Sequence, residues 1–318
     1  MKLCRDLPQG PQRAAPGNSP CIALTIGNFD GVHLGHQALV RRTLAVADER
    51  GLIPAVMTFE PHPREFFDAG TAPARLSSLR EKAGLLNRLG VEHLYVPRFD
   101  RRFAAQDPRQ FLDLLQQGLK VRWLLVGNDF RFGAKRAGGL ELIRAEAPER
   151  GFEVATLDDV MAGGLRVSST AVRDALGAGD FSLAEQLLGR PYAITGRVVH
   201  GRKLGRTLGF PTANVSLTRR KPALSGVFAV RCRGIKARGL EGVATGVASL
   251  GTNPAVQVDG RPSLEVFLFD FSADLYGQRL QVEFVAKLRD EAHFDSLDAL
   301  TAQIRRDCDH AREHFRHL

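Results

Sequence analysis

Cysteine is scarce in this sequence, and none of it is paired. Cys4, Cys21, Cys232 and Cys308 form no Cys-x-x-Cys motif, so neither a zinc site nor a dithiol redox centre is indicated. Scattered thiols of this kind suit a reducing compartment. Aromatic residues are only 7% of the chain and are not clustered, so the stacking platforms of nucleic-acid readers are missing. No apolar run approaches the ~20 residues that a membrane-spanning helix needs. Residues 1–20 are polar and lack the apolar centre of a signal peptide. The expectation is a cytoplasmic protein with no membrane and no nucleic acid among its partners.

What the sequence does have is length and positive charge. Its 318 residues are long for one domain, so two are expected. A net charge of +9 suits a polyanionic ligand, such as ATP or another phosphate ester. The Lys and Arg residues are spread along the chain, whereas a nucleic-acid face gathers them into a stripe. An oligomer is possible, but nothing in the sequence indicates one.

The most informative stretch is Gly27-Asn28-Phe29-Asp30-Gly31-Val32-His33-Leu34-Gly35-His36. An apolar run over 22–26 precedes it, and apolar positions at helical spacing follow over 37–49. Strand, glycine-broken turn and helix start together deliver backbone N–H groups to an anion. Two histidines three residues apart at the helix start would reach the same bound group. Further strands are expected over 51–59, 91–96, 121–127 and 152–157, with helices over 78–89 and 109–117 between them. That alternation predicts a parallel sheet with helices on both faces. Polar clusters follow three strands: Asn28 to His36, Glu60-Pro61-His62-Pro63, and Asn128 to Arg136. Ser168-Ser169-Thr170-Ala171-Val172-Arg173 adds hydroxyls at a helix start with an arginine one turn in. Taken singly, most of these are ordinary caps and turns; their shared position at strand ends, where a doubly wound sheet binds ligands, gives them weight.

After a helix over 180–188, opened by a Ser182-x-x-Glu185 capping box, the pattern changes. Strand-like runs over 192–199, 226–232, 242–250, 264–271 and 280–288 succeed one another without an intervening helix. An antiparallel barrel is expected, with the domain boundary near Leu187 and no long linker. The basic, glycine-rich loop Gly201-Arg202-Lys203-Leu204-Gly205 suits phosphate or a plain barrel hairpin, but lacks the Gly-Lys-Ser/Thr of a P-loop. In Pro211-Thr212-Ala213-Asn214 a hydroxyl and an amide oxygen share one side of an extended chain and could share a cation. Glu265, within the apolar run Leu264 to Phe271, is either a general base or a residue of the solvated face. The closing helix, over 296–318, carries an apolar stripe of Leu297, Leu300, Ile304, Cys308 and Phe315 for packing on the barrel.

Gly27 to His36 resembles the His-x-Gly-His signature of the nucleotidyltransferase superfamily, and Ser168-Ser169-Thr170-x-x-Arg173 is similar to its second phosphate motif. Phe59-Glu60-Pro61-His62-Pro63 and Val126 to Gly133 narrow the resemblance to the adenylyltransferase half of the bacterial bifunctional riboflavin kinase/FAD synthetases. In the second half, Gly209-Phe210-Pro211-Thr212-Ala213-Asn214, Gly226-Val227-Phe228-Ala229-Val230, Ser249 to Pro254 and Leu288 to Phe294 resemble the riboflavin kinase barrel. Phe228 stands where tyrosine is common, and Ala255 where threonine often follows the proline. The resemblance implies an adenylyltransferase over 1–187 and a kinase over 188–318, using riboflavin, FMN, ATP and Mg²⁺. It implies that His33 and His36 hold ATP phosphates and stabilise charge, and that Gly27, Ser169, Thr170 and Arg173 bind nucleotide. Asn128 would also bind nucleotide, near the shared substrate cleft, and His62 would bind the substrate. In the barrel, Gly205, Thr212 and Asn214 would serve ATP, the last two with Mg²⁺, while Glu265 deprotonates the ribityl hydroxyl. Arg289 and Glu291 would belong to the flavin-side flap. The competing readings are an adenylyltransferase with another phosphate-ester acceptor, a binding protein with degenerate sites, or a protein keeping one activity of the two.

Overall fold

The apolar run over 22–26 is a strand buried at every position, as a strand covered by helices on both faces must be. A computed structural model describes residues 1–5, 7, 21–201, 204–219, 221–236, 242–251 and 262–317. Arg202 and Lys203 of the basic loop, and residues 252–255 of the barrel motif, lie outside the described residues. Two compact units form, one of Met1–Pro73 with Leu79–Val167, the other of Ala74–Ser78 with Ser168–Leu318.

The first unit contains β1 (Lys2–Cys4), β2 (Ile22–Ile26), α1 (Leu34–Arg50), β3 (Ile53–Met57), α2 (Pro63–Phe67), α3 (Leu79–Arg88) and β4 (His93–Tyr95). It continues with α4 (Arg101–Ala104), α5 (Pro108–Asp113), β5 (Val121–Gly127), α6 (Leu140–Arg150), β6 (Glu153–Leu157) and the small hairpin of β7 (Met161–Ala162) and β8 (Leu165–Arg166). Six strands make one parallel sheet in the order β1-β4-β3-β2-β5-β6. Alternate residues of β2 serve opposite faces: Ile22, Leu24 and Ile26 pack with Phe111, Leu115 and Ile143, whereas Ala23 packs with Val46, Ala47 and Trp123. From β2 the chain builds outward to β3 and β4, then crosses back to β5 and β6. The order therefore reverses between β2 and β5, the crevice where open α/β sheets bind ligands.

Local signals set the helix ends. Asp107 caps α5 in a capping box with Gln110, with Pro108 at its first position, and the helix runs on as a π turn over Leu114–Gly118. The expected cap at Ser182 is corrected. Asp180 caps α8, its carboxylate accepting from the Leu183 N–H at 2.9 Å, which leaves Ser182 inside the helix.

The second unit holds α7 (Ser169–Ala178), α8 (Phe181–Leu188), β9 (Ala193–Val199), α9 (Leu204–Thr207), β10 (Thr212–Val215), β11 (Gly226–Arg233), β12 (Ala244–Gly251), β13 (Ser263–Leu268), β14 (Arg279–Arg289) and α10 (Leu297–Arg316). The six strands close into a barrel, β10-β13-β12-β11-β14-β9, and every pair is antiparallel. A short helix and a sixth strand, α9 and β10, interrupt the expected succession of five. Ile194, Phe228, Val230, Leu250, Val266 and Phe284, each 0–2% exposed, fill the interior. The opposite side of β11, β12 and β13 packs with Cys308 and Ala311 of α10. Leu297 is 57% exposed and drops out of the expected stripe, while Ala311, fully buried, takes part in the contact.

Candidate active sites

In the first unit, the turn between β2 and α1 lies at the sheet's switch point. Gly27 ties its start to the neighbouring strand by donating its N–H to the Met57 carbonyl at 3.1 Å. His33 is the N-cap of α1, and its Nδ1 accepts from the His36 N–H at 3.3 Å. That bond leaves Nε2 as the nitrogen that faces away from the helix end. The two imidazoles stack with centroids 3.7 Å apart, and Phe29 lies 4.9 Å from the His36 ring. Gly35 makes this possible, because a Cβ there would stand only 3.2 Å from the His33 ring. The histidines expected to act together are thus brought side by side. They stand at the first turn of a helix, where N–H groups and the helix dipole favour an anion.

The other expected groups of the nucleotide site are placed as follows. Asn128 is exposed, in the turn after β5 that the Phe130 N–H closes on the Gly127 carbonyl at 3.1 Å. His62 is buried as the cap of α2, its Nδ1 accepting from the Arg64 N–H at 3.1 Å while its own backbone N–H donates to Glu65. In the second unit, Ser168 caps α7 by accepting from the Ala171 N–H at 3.1 Å. Ser169 and Thr170 open that helix, and Arg173 Nε donates to the Ala74 carbonyl at 2.6 Å.

On the barrel, Thr212 and Asn214 project from one side of β10, and Asn214 pairs with Glu265 across the strand boundary. Glu265 has Ser249 as its partner on the other flank. The Thr212 hydroxyl donates to Glu265 Oε2 at 3.2 Å, a diagonal contact within reach on adjacent strands. Leu264 and Val266 face the interior, so Glu265 stands on the outer side of the wall, shared with Phe267 and α10. Gly205 lies in α9, and its carbonyl accepts from the Phe210 N–H at 2.8 Å, folding the loop back toward β10. A cavity of about 420 Å³ adjoins Thr212 and is lined by Arg206, Val266, Leu275 and Tyr276. Leu275 and Tyr276 were not singled out in the sequence.

Arg289, at the end of β14, is engaged by α10. Its Nε reaches both carboxylate oxygens of Asp307 at 3.0 and 3.1 Å, and a terminal nitrogen reaches Oδ2 at 2.8 Å. Glu291 lies against Gly251, and burial pushes its carboxyl up from the ordinary value while the Arg289 charge opposes the shift. Among the described residues no three His, Cys, Asp or Glu side chains gather into a metal cluster. No helix among them is long and apolar enough to cross a membrane.

The class is that of an enzyme transferring nucleotidyl and phosphoryl groups, as both halves of the chain match families of such enzymes. A family described as FAD synthetase matches residues 16–171, and one described as riboflavin kinase matches residues 188–315. The bifunctional riboflavin kinase/FMN adenylyltransferase of Escherichia coli K12 is 49% identical over 99% of this chain and 98% of its own length. That of Haemophilus influenzae is 46% identical over 92% of this chain and 94% of its own. A solved structure titled as a macrolide-efflux protein from Streptococcus pneumoniae superposes with a TM-score of 0.71 at 32% identity, covering 91% of this chain and 93% of that one. The chain belongs to the family of bifunctional riboflavin kinase/FMN adenylyltransferases.

Proposed function

We infer that the chain makes FAD from riboflavin in two ATP-dependent steps, with the barrel acting first and the parallel-sheet domain second. The functional domains are taken as 1–187 and 188–318, in keeping with the two family matches. The pairing of Glu265 with Thr212 carries most of this reading. An adenylyltransferase for some other acceptor would have no use for a carboxylate held among hydroxyl and amide groups on a second fold.

In the first step Glu265 accepts the proton of the riboflavin 5′-hydroxyl as that oxygen attacks the γ-phosphorus of ATP, giving FMN and ADP. The cavity beside Thr212 receives the ATP, with Leu275 and Tyr276 offering apolar surface to the base. Gly205 lets the loop fold over its phosphates. Thr212, Asn214 and Glu265 present only hard oxygen donors, the set a Mg²⁺ ion takes, and Thr212 and Asn214 would hold it. When bound, that ion neutralises charge on the phosphates. Arg289 and Glu291 serve the flavin side, Arg289 from an orientation fixed by Asp307.

In the second step an FMN phosphate oxygen attacks the α-phosphorus of ATP, and pyrophosphate leaves. His33 and His36 stabilise the charge that develops, with no covalent intermediate. Gly27, Asn128, Ser169, Thr170 and Arg173 bind nucleotide, while His62 belongs to the substrate side. The cytoplasmic setting is part of the same proposal, and four free thiols suit it.

The test incubates pure protein with riboflavin, ATP and Mg²⁺ and separates the flavins by chromatography. FMN followed by FAD is expected. FMN without FAD would remove the adenylyltransferase assignment, and unchanged riboflavin would remove the kinase assignment.

A further inference from the structure

Lys82 is 1% exposed, on the inward face of α3 beside Leu86. A buried lysine needs partners, since its amine loses water on burial. Lys82 Nζ donates to the Asn28 carbonyl at 2.5 Å and to Thr58 Oγ1 at 3.1 Å. The Thr58 hydroxyl in turn donates to the same Asn28 carbonyl at 2.9 Å. Two donors from two separate segments therefore converge on one peptide oxygen. That oxygen belongs to the second residue of the turn that carries His33 and His36.

The turn is strained. Phe29 and Val32 have φ of 48° and 44°, and a β-branched residue such as Val32 almost never sits there, whereas Gly31 between them takes its 82° without cost. Such conformations persist only where the surroundings over-determine them. Lys82 and Thr58 supply that constraint from below. In a trans peptide the C=O and the following N–H point in opposite directions. Pulling the Asn28 carbonyl inward thus sends the Phe29 N–H the other way, and no described residue accepts from it.

We propose that Lys82 is a positioning residue for adenylyl transfer. It clamps the Asn28 carbonyl, fixes the strained turn beneath the histidine pair and aims the Phe29 N–H at a phosphate oxygen of ATP. The inference rests on the assignment of that turn to the ATP of the second step. Lys82 acts through Asn28 and touches no substrate.

The test compares Lys82→Met, which keeps an unbranched chain without the amine, with Thr58→Val, which keeps the shape without the hydroxyl. FAD formation is followed with ATP and FMN varied separately, and riboflavin kinase activity is read in the same preparation. For Lys82→Met, kcat/KM for ATP falls by about 10- to 100-fold through a raised KM for ATP and a lowered kcat, the loss expected for a hydrogen bond from a charged donor. The KM for FMN and the kinase activity stay at wild-type values. A merely structural role would lower kcat in proportion to the folded fraction and leave the KM for ATP unmoved, and that outcome overturns the proposal. Should Lys82→Met fail to fold, Thr58→Val decides: a rise of about 3- to 10-fold in the KM for ATP is expected, and its absence overturns the proposal. His36→Ala runs alongside. Unimpaired FAD formation there sinks the site assignment itself, whereas an inactive His36→Ala beside wild-type Lys82→Met and Thr58→Val sinks only the role of Lys82.

Discussion

Asp307→Ala removes the group that ties the end of β14 to α10. The carboxylate side chain is 4% exposed and accepts from Arg289 through two nitrogens and from Gln303 Nε2 at 2.8 Å. Removing one partner of a buried ion pair costs about 3–5 kcal/mol, because the other charge is left without compensation. Arg289 is not so deeply placed: its side chain is 22% exposed, it also donates to the Asp290 carbonyl, and it lies 5.6 Å from the Phe294 ring. Water and these contacts keep part of its charge satisfied, so the expected cost is roughly 2–3 kcal/mol. At about 2–4 °C per kcal/mol for a unit of this size, the barrel's Tm falls by about 5–10 °C. Calorimetry reads that shift. Arg289→Met with Asp307→Leu should recover part of it, since the double variant leaves no buried charge behind. A Tm within about 1 °C of wild type for Asp307→Ala would refute the reasoning, because the pair would then contribute no more than an exposed one. The KM for riboflavin of Arg289→Met, measured on the same sample, reads the flavin-side role of Arg289 separately from its structural one.

Three further outcomes can be checked with the same protein. His36→Ala should accumulate FMN, with FAD formation lowered about 100-fold or more, whereas Glu265→Ala should lose FMN formation yet still convert supplied FMN to FAD; a folded variant that lost both steps would contradict separate sites. Burial pushes the thiols of Cys232 and Cys308 up to about 12 and about 11, so iodoacetamide at pH 8 should label Cys4 and Cys21, which are partly exposed, and spare the other two, as peptide mass spectrometry will show. Glu291 has its folded value raised by burial, so its contribution to stability is present below the ordinary value of 4.5 and is lost as pH rises through the elevated one. Urea titrations of wild type and Glu291→Gln across that range should show the variant with the flatter pH profile.

Much of the first unit was legible because its strands are short apolar runs closed by turn residues. The run over 121–127 is a strand with those same limits, and Asp107-Pro108 marks a helix start that the backbone adopts. The Ser182 cap failed for a local reason. Two side-chain oxygens lie within three residues, and the chain takes a non-helical conformation at Asp180, with φ −84° and ψ 82°, not at Ser182. β10 escaped notice as a strand because four residues carry little periodic signal and its partners are distant in sequence. Lys82 was invisible for a related reason. A lysine in a helix reads as a solvated side chain, and its partner Asn28 is 54 residues away.

Glu265 marks where the limit of periodicity falls in the barrel. Alternation over 263–268 separates two faces without saying which is wet, because the inner one is buried and α10 leaves the outer one half-buried. Val266 faces the packed interior, and Phe267 faces α10 with Cys308 and Ala311. An apolar residue is thus expected on either side, and a lone carboxylate on one of them is anomalous in sequence without being informative. The cross-strand register resolves it. Asn214 and Ser249 flank Glu265 on its own face, and Thr212 reaches it diagonally, so the polar groups of three strands form one patch in an otherwise apolar surface. Two of those three strands were expected from periodicity. The third, β10, is not among the expected strands; its Thr-Ala-Asn is read for its chemistry alone, with the condition that a hydroxyl and an amide two residues apart act together only on an extended chain. In this barrel the chemistry of the site singled out Thr212 and Asn214, and the register of β10 against β13 supplies the extended chain that this chemistry needs.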